Sequence, residues 1–313
     1  MKWDLDADVV CTGFGAAGLA TAISVVDLGG DVFVAPSING TPGPSVEPFA
    51  VHPDRLHPWL PADVSDTETS DYLAALWSDL GPARRSVRDV DVPICVVRER
   101  PAEAGRTIAP FVGARLRDWT AHCLTSPYGF LHTRVRDWGT TTLHTIEGEV
   151  IEVAEIGSIS PDFDNVSGSV VDWVAAQARD RNIEIQADCS LQRIVFKEGN
   201  AIGAVFRTPD GPLAVQARHG VTVATGSSRI SATPQRFRSG GALVGADLNV
   251  CVVSRHASRF GRLELLTSEE SLTHNPSTRQ ACSPQVQANL RETRGQSPVG
   301  RCAVGEGYPT AGQ

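Results

Sequence analysis

The apolar run Val9-Val10-Cys11 leads directly into Gly13-Phe14-Gly15-Ala16-Ala17-Gly18. Leu19, Ala20, Ala22, Ile23 and Val26 then recur at helical spacing until Gly29-Gly30. That period predicts a helix with one buried face, and the glycine pair ends it. A second apolar run, Val32 to Ala35, follows at once. Residues 7–35 therefore read as strand, glycine turn, helix and strand, the opening of a dinucleotide-binding unit.

Further along, Tyr72, Leu73, Leu76, Trp77 and Leu80 line one helical face, with Ser70 as the expected N-cap and Gly81-Pro82 as the stop. Residues 91–97 read as a strand and 115–124 as a short helix. The alternation in Tyr128 to Val135 predicts a half-exposed strand, continued in style by 140–143 and 149–153. Val170, Val171, Val174, Ala175 and Ala178 predict another helix, with Ser169 as its expected N-cap and Arg179 and Arg181 near its negative end. After a strand at Ile183-Glu184-Ile185, three apolar runs (191–196, 201–206 and 213–217) are separated by Glu198-Gly199-Asn200 and Pro209-Asp210-Gly211. Those are hairpin signals, so an antiparallel meander is expected. It feeds Val221-Thr222-Val223-Ala224-Thr225-Gly226, and residues 242–253 offer one or two final strands. Beyond about Ser268 the chain is polar and nearly devoid of aromatics, the pattern of a mobile tail or of an arm that orders on a partner.

The fold class expected is α/β: a Rossmann-like domain with a central parallel sheet and an antiparallel meander, into which a smaller mixed region is inserted. The boundaries read as 1–45 plus 161–253 for the nucleotide-binding part, 46–160 for the inserted, cap-like region, and 254–313 for the C-terminal arm, a candidate contact for a second copy or a partner subunit.

Composition narrows the function. With 41% hydrophobic and 20% charged residues, the 313-residue chain can bury a sizeable core. A net charge of -8 without a basic run argues against nucleic-acid binding. No apolar stretch approaches the roughly twenty residues needed to span a bilayer, and the N-terminus enters its first strand without room for a signal peptide, so a cytoplasmic location is expected. The seven cysteines are widely spaced and lack any CxxC, and no His/Glu cluster has metal-ligand spacing, so neither a disulfide framework nor a metal site is expected.

The glycines carry the chemistry. Gly13 permits the tight turn, Gly15 lets the backbone approach a pyrophosphate, and Gly18 lets the helix pack close to the sheet. The helix N-terminus supplies free N–H groups and a positive dipole end to the phosphates. An acid expected at the end of the second strand, for the adenosine ribose, is absent: the chain reads Val34-Ala35-Pro36-Ser37. Ribose then falls to backbone groups or to Ser37. The following Pro36 to Pro48 reads either as a cofactor-lining loop or as a surface linker.

The Gly13 to Gly18 fingerprint, the helix, strand and meander of residues 169–218, and the closing Val221 to Gly226 together resemble the FAD proteins of the fumarate reductase and 3-ketosteroid dehydrogenase superfamily. That resemblance covers about half of the chain. It implies FAD as cofactor, with Gly13, Gly15, Ala16, Ala17 and Gly18 at the pyrophosphate and Ala35 and Pro36 in the place of the missing acid. It further implies Ser190 or Leu191 meeting the adenine through backbone groups, and Ala224, Thr225 and Gly226 closing over the dinucleotide. Ser37, Gly40 and Thr41 stand loosely for the family's flavin-packing segment. The family's terminal flavin-facing glycine motif has no convincing copy here.

An enzyme of that type needs a proton donor or acceptor beside the flavin. Tyr128, His132 and Arg134 are the candidates, and the last two would share a face of one strand; the alternative is an ordinary polar sheet face. Two functions follow from the resemblance. One is an oxidoreductase transferring hydride between flavin N5 and a small apolar substrate such as an enone or steroid-like ring. The other is an FAD-binding, storage or subunit protein that lacks the catalytic half.

Overall fold

Strand β1 (Leu5–Thr12), helix α1 (Ala16–Val26) and strand β2 (Val32–Ala35) form as the apolar pattern requires. The computed structural model describes residues 2–13, 15–35, 64, 66–78, 92–98, 113–136, 139–224 and 248–268. β1 and β2 pair in parallel from Val9↔Val32 to Thr12↔Ala35. Strand alternation sends Val9 and Cys11 to the core under α1, and Val10 to a second core that it shares with Phe33 and Ala35. α1 is buried along nearly its whole length, because it packs on β1 on one side and on the later helix α4 (Val166–Asp180) on the other. Its hydroxyls are satisfied within the helix: Thr21 donates to Ala17 O at 2.9 Å and Ser24 to Thr21 O at 2.7 Å.

The remaining elements are α2 (Thr67–Ser78), β3 (Ile94–Arg98), α3 (Gly113–Thr125), β4 (Gly129–His132), β5 (Thr141–Thr145), β6 (Val150–Ile159), β7 (Ser190–Lys197), β8 (Asn200–Thr208), β9 (Gly211–Ala224), β10 (Leu248–Ser254) and β11 (Phe260–Ser268). The expected meander is present, with β7 on β8 and β8 on β9, all antiparallel. β9 then serves twice. It closes the meander through Gly211 to Gln216 and lies parallel to β1 from Leu5↔Val215 to Thr12↔Val223.

The fold is mixed α/β, and it departs from the expected central parallel sheet. Parallel pairing is limited to β2–β1–β9 and, apart from it, β3–β11, and Ile185 adds only a single parallel bridge to Val34 instead of a full strand. β4 runs antiparallel to β9 and to β11. Beyond it, β11, β3, β5, β6 and β10 pair in succession, and β10 returns to β11. Five strands thus close into a ring, which removes their free edges. The strands of residues 94–159 are bound into the same hydrogen-bonded sheet as β9 and β1.

Three local expectations change. α2 begins at Thr67, and Asp66 caps it by accepting from Thr69 N at 2.8 Å, so Ser70 lies inside the helix. α4 begins at Val166 with Asn165 as cap, accepting from Gly168 N at 3.1 Å, so Ser169 also lies inside. β11 falls within the stretch read as an arm. Two of its residues, Arg262 and Glu264, form an ion pair of 2.5 Å that is nearly buried. The Arg262 and Arg255 guanidiniums both lie over the Trp119 ring, at 5.1 Å and 4.8 Å, and Arg255 pairs with Glu149.

Candidate functional site

At the carboxyl end of β1 the glycine turn meets the carboxyl end of β9. Gly13 adopts φ +118°, a conformation that a side chain resists, and a Cβ added there would lie 2.6 Å from Ala224 Cβ. A Cβ on Gly18 would lie 2.6 Å from Gly13 O and 3.5 Å from Ala224 Cβ. Gly13, Gly18 and Ala224, distant in sequence, therefore form one close-packed junction. Gly13 N donates to Ala35 O at 2.9 Å, which ties the turn to β2.

Gly15 is the N-cap of α1, with extended φ −81° and ψ 162° and no side-chain hydrogen bond on the cap. The first turn carries no acid. The partial positive charge of the helix end is thus left uncompensated by any side chain of the helix, which is the electrostatic condition for holding phosphate. Ala16 and Ala17 follow as small, buried residues, so nothing bulky crowds that end from within the first turn. A pyrophosphate fits this cradle on its charge and on its need for close backbone approach.

The segment expected on the adenosine side is tied to β2. Gln186 N donates to Val34 O at 2.9 Å, which brings the 186–190 turn beside the end of β2. Ser190 opens β7, and Leu191 is fully buried in the core that contains Val10 and Ala35. Thr12, the last residue of β1, is 1% exposed, and its Oγ1 has no hydrogen-bond partner. Sequence reasoning passed over Thr12. The available signal was a hydroxyl in the final position of an otherwise apolar strand. Pro36, Ser37, Gly40, Thr41, Thr225 and Gly226 lie outside the described residues.

The candidate catalytic residues do not converge at this turn. β4 runs antiparallel to β9 with Phe130 opposite Ala224 and His132 opposite Thr222, so the chain moves away from the glycine turn as it passes from Tyr128 to Arg134. Tyr128 lies at the near end, with its side chain fully buried in the core under α1. His132 Nδ1 lies 2.7 Å from Thr222 Oγ1. Burial, reinforced by the Arg136 charge, pushes the His132 pKa down to about 4, so the ring is neutral at pH 7. Cys11, in register with Thr222, is held neutral in the same way, its thiol pushed up to about 12 by burial. β4 ends at His132, which leaves Arg134 beyond the strand and off the shared face that was expected. Arg134 donates to Arg218 O at 3.0 Å and to Ala201 O at 3.3 Å. Arg218 precedes Ala224 by six residues of β9, about 20 Å of strand.

Among the described residues, no group of three or more His, Cys, Asp or Glu is placed to hold a metal. No helix among them is long and apolar enough to cross a membrane.

No protein-family model matches the chain, and no characterised protein is detectably similar to it in sequence. Solved structures are distantly similar to it. They are oxidoreductases by name. One is the 3-ketosteroid-Δ4-(5α)-dehydrogenase of Rhodococcus jostii RHA1 in complex with 4-androstene-3,17-dione, at 17% identity over 71% of this chain and 46% of that one, with a TM-score of 0.28. A second is a flavocytochrome c3 fumarate reductase in an open conformation, at 13% identity over 69% of this chain and 33% of that one, with a TM-score of 0.28. A third is a geranylgeranyl bacteriochlorophyll reductase-like protein of Thermoplasma acidophilum, at 11% identity over 92% of this chain and 61% of that one, with a TM-score of 0.27. The chain spans from a third to three fifths of the length of these proteins. Likeness of this order carries no function, which has to be argued from the residues themselves.

Proposed function

We propose that the chain binds FAD across the carboxyl ends of β2, β1 and β9 and works as a flavoprotein oxidoreductase. The observation that carries the reading is the junction of Gly13, Gly18 and Ala224 below an uncapped helix end. A dinucleotide needs backbone N–H groups unobstructed by side chains, and Gly15, Ala16, Ala17 and Gly18 put no long side chain at the helix end. Gly13, Gly15, Ala16, Ala17 and Gly18 hold the pyrophosphate, Ser190 and Leu191 flank the adenine, and Ala224 lies against the dinucleotide. When bound, FAD supplies hydride acceptance and donation at N5, and the partner is a carbon of a small apolar substrate such as an enone.

A second reading, an FAD-binding or subunit protein without catalysis, draws support from His132 and Arg134, which are engaged by Thr222, Arg218 and Ala201 away from the glycine turn. Anaerobic reduction of the FAD-loaded chain with dithionite, followed by enone acceptors, separates the two. Reoxidation by an acceptor supports the enzyme. Flavin that binds but that no acceptor reoxidises supports the second reading.

A further inference from the structure

Thr12 presents an unmade hydrogen bond at the carboxyl end of β1, one residue before the glycine turn. Its side chain is almost wholly buried, and Oγ1 has neither a donor nor an acceptor beside it. A buried hydroxyl without a partner is costly, and valine has the same shape without that cost. Such an atom calls for a group that arrives from outside the chain.

Register shows which group. Thr12 lies directly opposite Ala35 in the parallel pairing of β1 and β2. Neighbouring strands are about 4.8 Å apart, and register partners project from the same face. Ala35 occupies the position at which a dinucleotide-binding unit ordinarily presents a carboxylate to the adenosine ribose. The face shared by Thr12 and Ala35 is the one opposite α1, lined further down by Val10 and Phe33, and Leu191 belongs to that same core. A cofactor that leaves the Gly13 to Gly18 turn and turns toward Ser190 and Leu191 passes over Thr12.

We propose that the Thr12 hydroxyl is a binding contact for the adenosine ribose, bonding a ribose hydroxyl in place of the carboxylate that Ala35 lacks. This assignment rests on the FAD reading above. It moves the ribose contact from the end of the second strand to the end of the first, one residue before the phosphate turn.

The test uses the full chain, calorimetric titration with ADP and with 2′,3′-dideoxy-ADP, and thermal unfolding without nucleotide. The unsubstituted chain binds ADP about tenfold more tightly than the dideoxy analogue, the worth of one good hydrogen bond. Thr12→Val binds the two equally, and Thr12→Ser restores the preference. Without nucleotide, Thr12→Val unfolds about 2 °C higher, because the unmade hydrogen bond is gone. A merely structural threonine gives neither the lost preference nor its return in Thr12→Ser. Should Thr12→Val fail to fold, Thr12→Ala reads the same ratio. If the unsubstituted chain binds ADP and FAD but the Thr12→Val or Thr12→Ala variant keeps the preference for ADP, the ribose contact is overturned and the FAD reading stands. If the unsubstituted chain binds neither, the FAD reading falls and the ribose contact with it.

Discussion

The contact between Gly13 and Ala224 can be measured without any cofactor, by a double-mutant cycle. Gly13→Ala places a methyl 2.6 Å from Ala224 Cβ at φ +118°. The clash costs about 1–3 kcal/mol by overpacking, and the backbone conformation adds about 1–2 kcal/mol. Ala224→Gly alone removes a buried methyl and loosens the strand end, at about 1–2 kcal/mol. In the double variant the methyl of Ala224 is absent, so the 2.6 Å contact is gone and the methyl introduced in Gly13→Ala meets only Ala224 Cα and N at 3.2 Å; most of the clash is relieved while the backbone strain remains. The two costs therefore fall short of additivity by about 1–2 kcal/mol, well outside the few tenths expected for independent sites. Gly18→Ala is the control. Its methyl would strike Gly13 O at 2.6 Å and Ala224 Cβ only at an ordinary 3.5 Å, so Ala224→Gly does not rescue it. Equilibrium urea unfolding of the parent chain, the three single variants and the two double variants, with m-values compared, gives the cycle and its control. Additive costs for Gly13→Ala and Ala224→Gly would refute the junction, and with it the argument that places the end of β9 over the phosphate turn.

Two further outcomes follow from the same geometry. Gly15→Asp puts a carboxylate at the extended N-cap of α1, where its charge takes the place of phosphate; FAD binding is lost, and retained FAD affinity would show that the phosphates lie elsewhere. His132 is held at about 4 against an ordinary 6.5, so the unfolded chain takes up its proton first as pH falls. The stability it contributes is complete above about pH 6.5 and lost on the way down to about pH 4, amounting to roughly 3 kcal/mol. His132→Asn, which keeps a polar group near Thr222, flattens the stability profile across that window; an unchanged slope would mean that His132 is not buried as a neutral ring.

The βαβ opening was legible because each signal agreed with the others. Small residues from Ala16 to Ala22 let α1 bury all round, and the glycines fall where a Cβ has no room. The meander was legible from Glu198-Gly199-Asn200 and Pro209-Asp210-Gly211, turn chemistry that acts locally. The five-strand ring was not, since pairing β10 with β6 and β3 with β11 joins segments far apart in the chain, and no local pattern records such partners. β11 was obscured for a different reason: Arg262 and Glu264 read as surface residues, yet they satisfy one another in a nearly buried pair. The cap of α2 was misplaced because Asp66 precedes the apolar stripe by several positions, and that of α4 because Ser167-Gly168-Ser169 separate Val166, buried directly after the Asn165 cap, from the rest of the stripe. Of the candidate site, the glycine turn could be read from glycine spacing. The placement of Tyr128, His132 and Arg134 could not, because the register of β4 on β9, which carries His132 away from Ala224, depends on tertiary pairing alone.

The central claim is that the helix end set above the close-packed junction of Gly13, Gly18 and Ala224 holds FAD. It is tested most directly by titrating FAD into the purified chain and following flavin fluorescence and the visible spectrum. The account predicts saturable binding of one FAD per chain, with the spectrum of protein-bound oxidised flavin, and its loss in Gly15→Asp. A colourless chain that takes up no added FAD would contradict it.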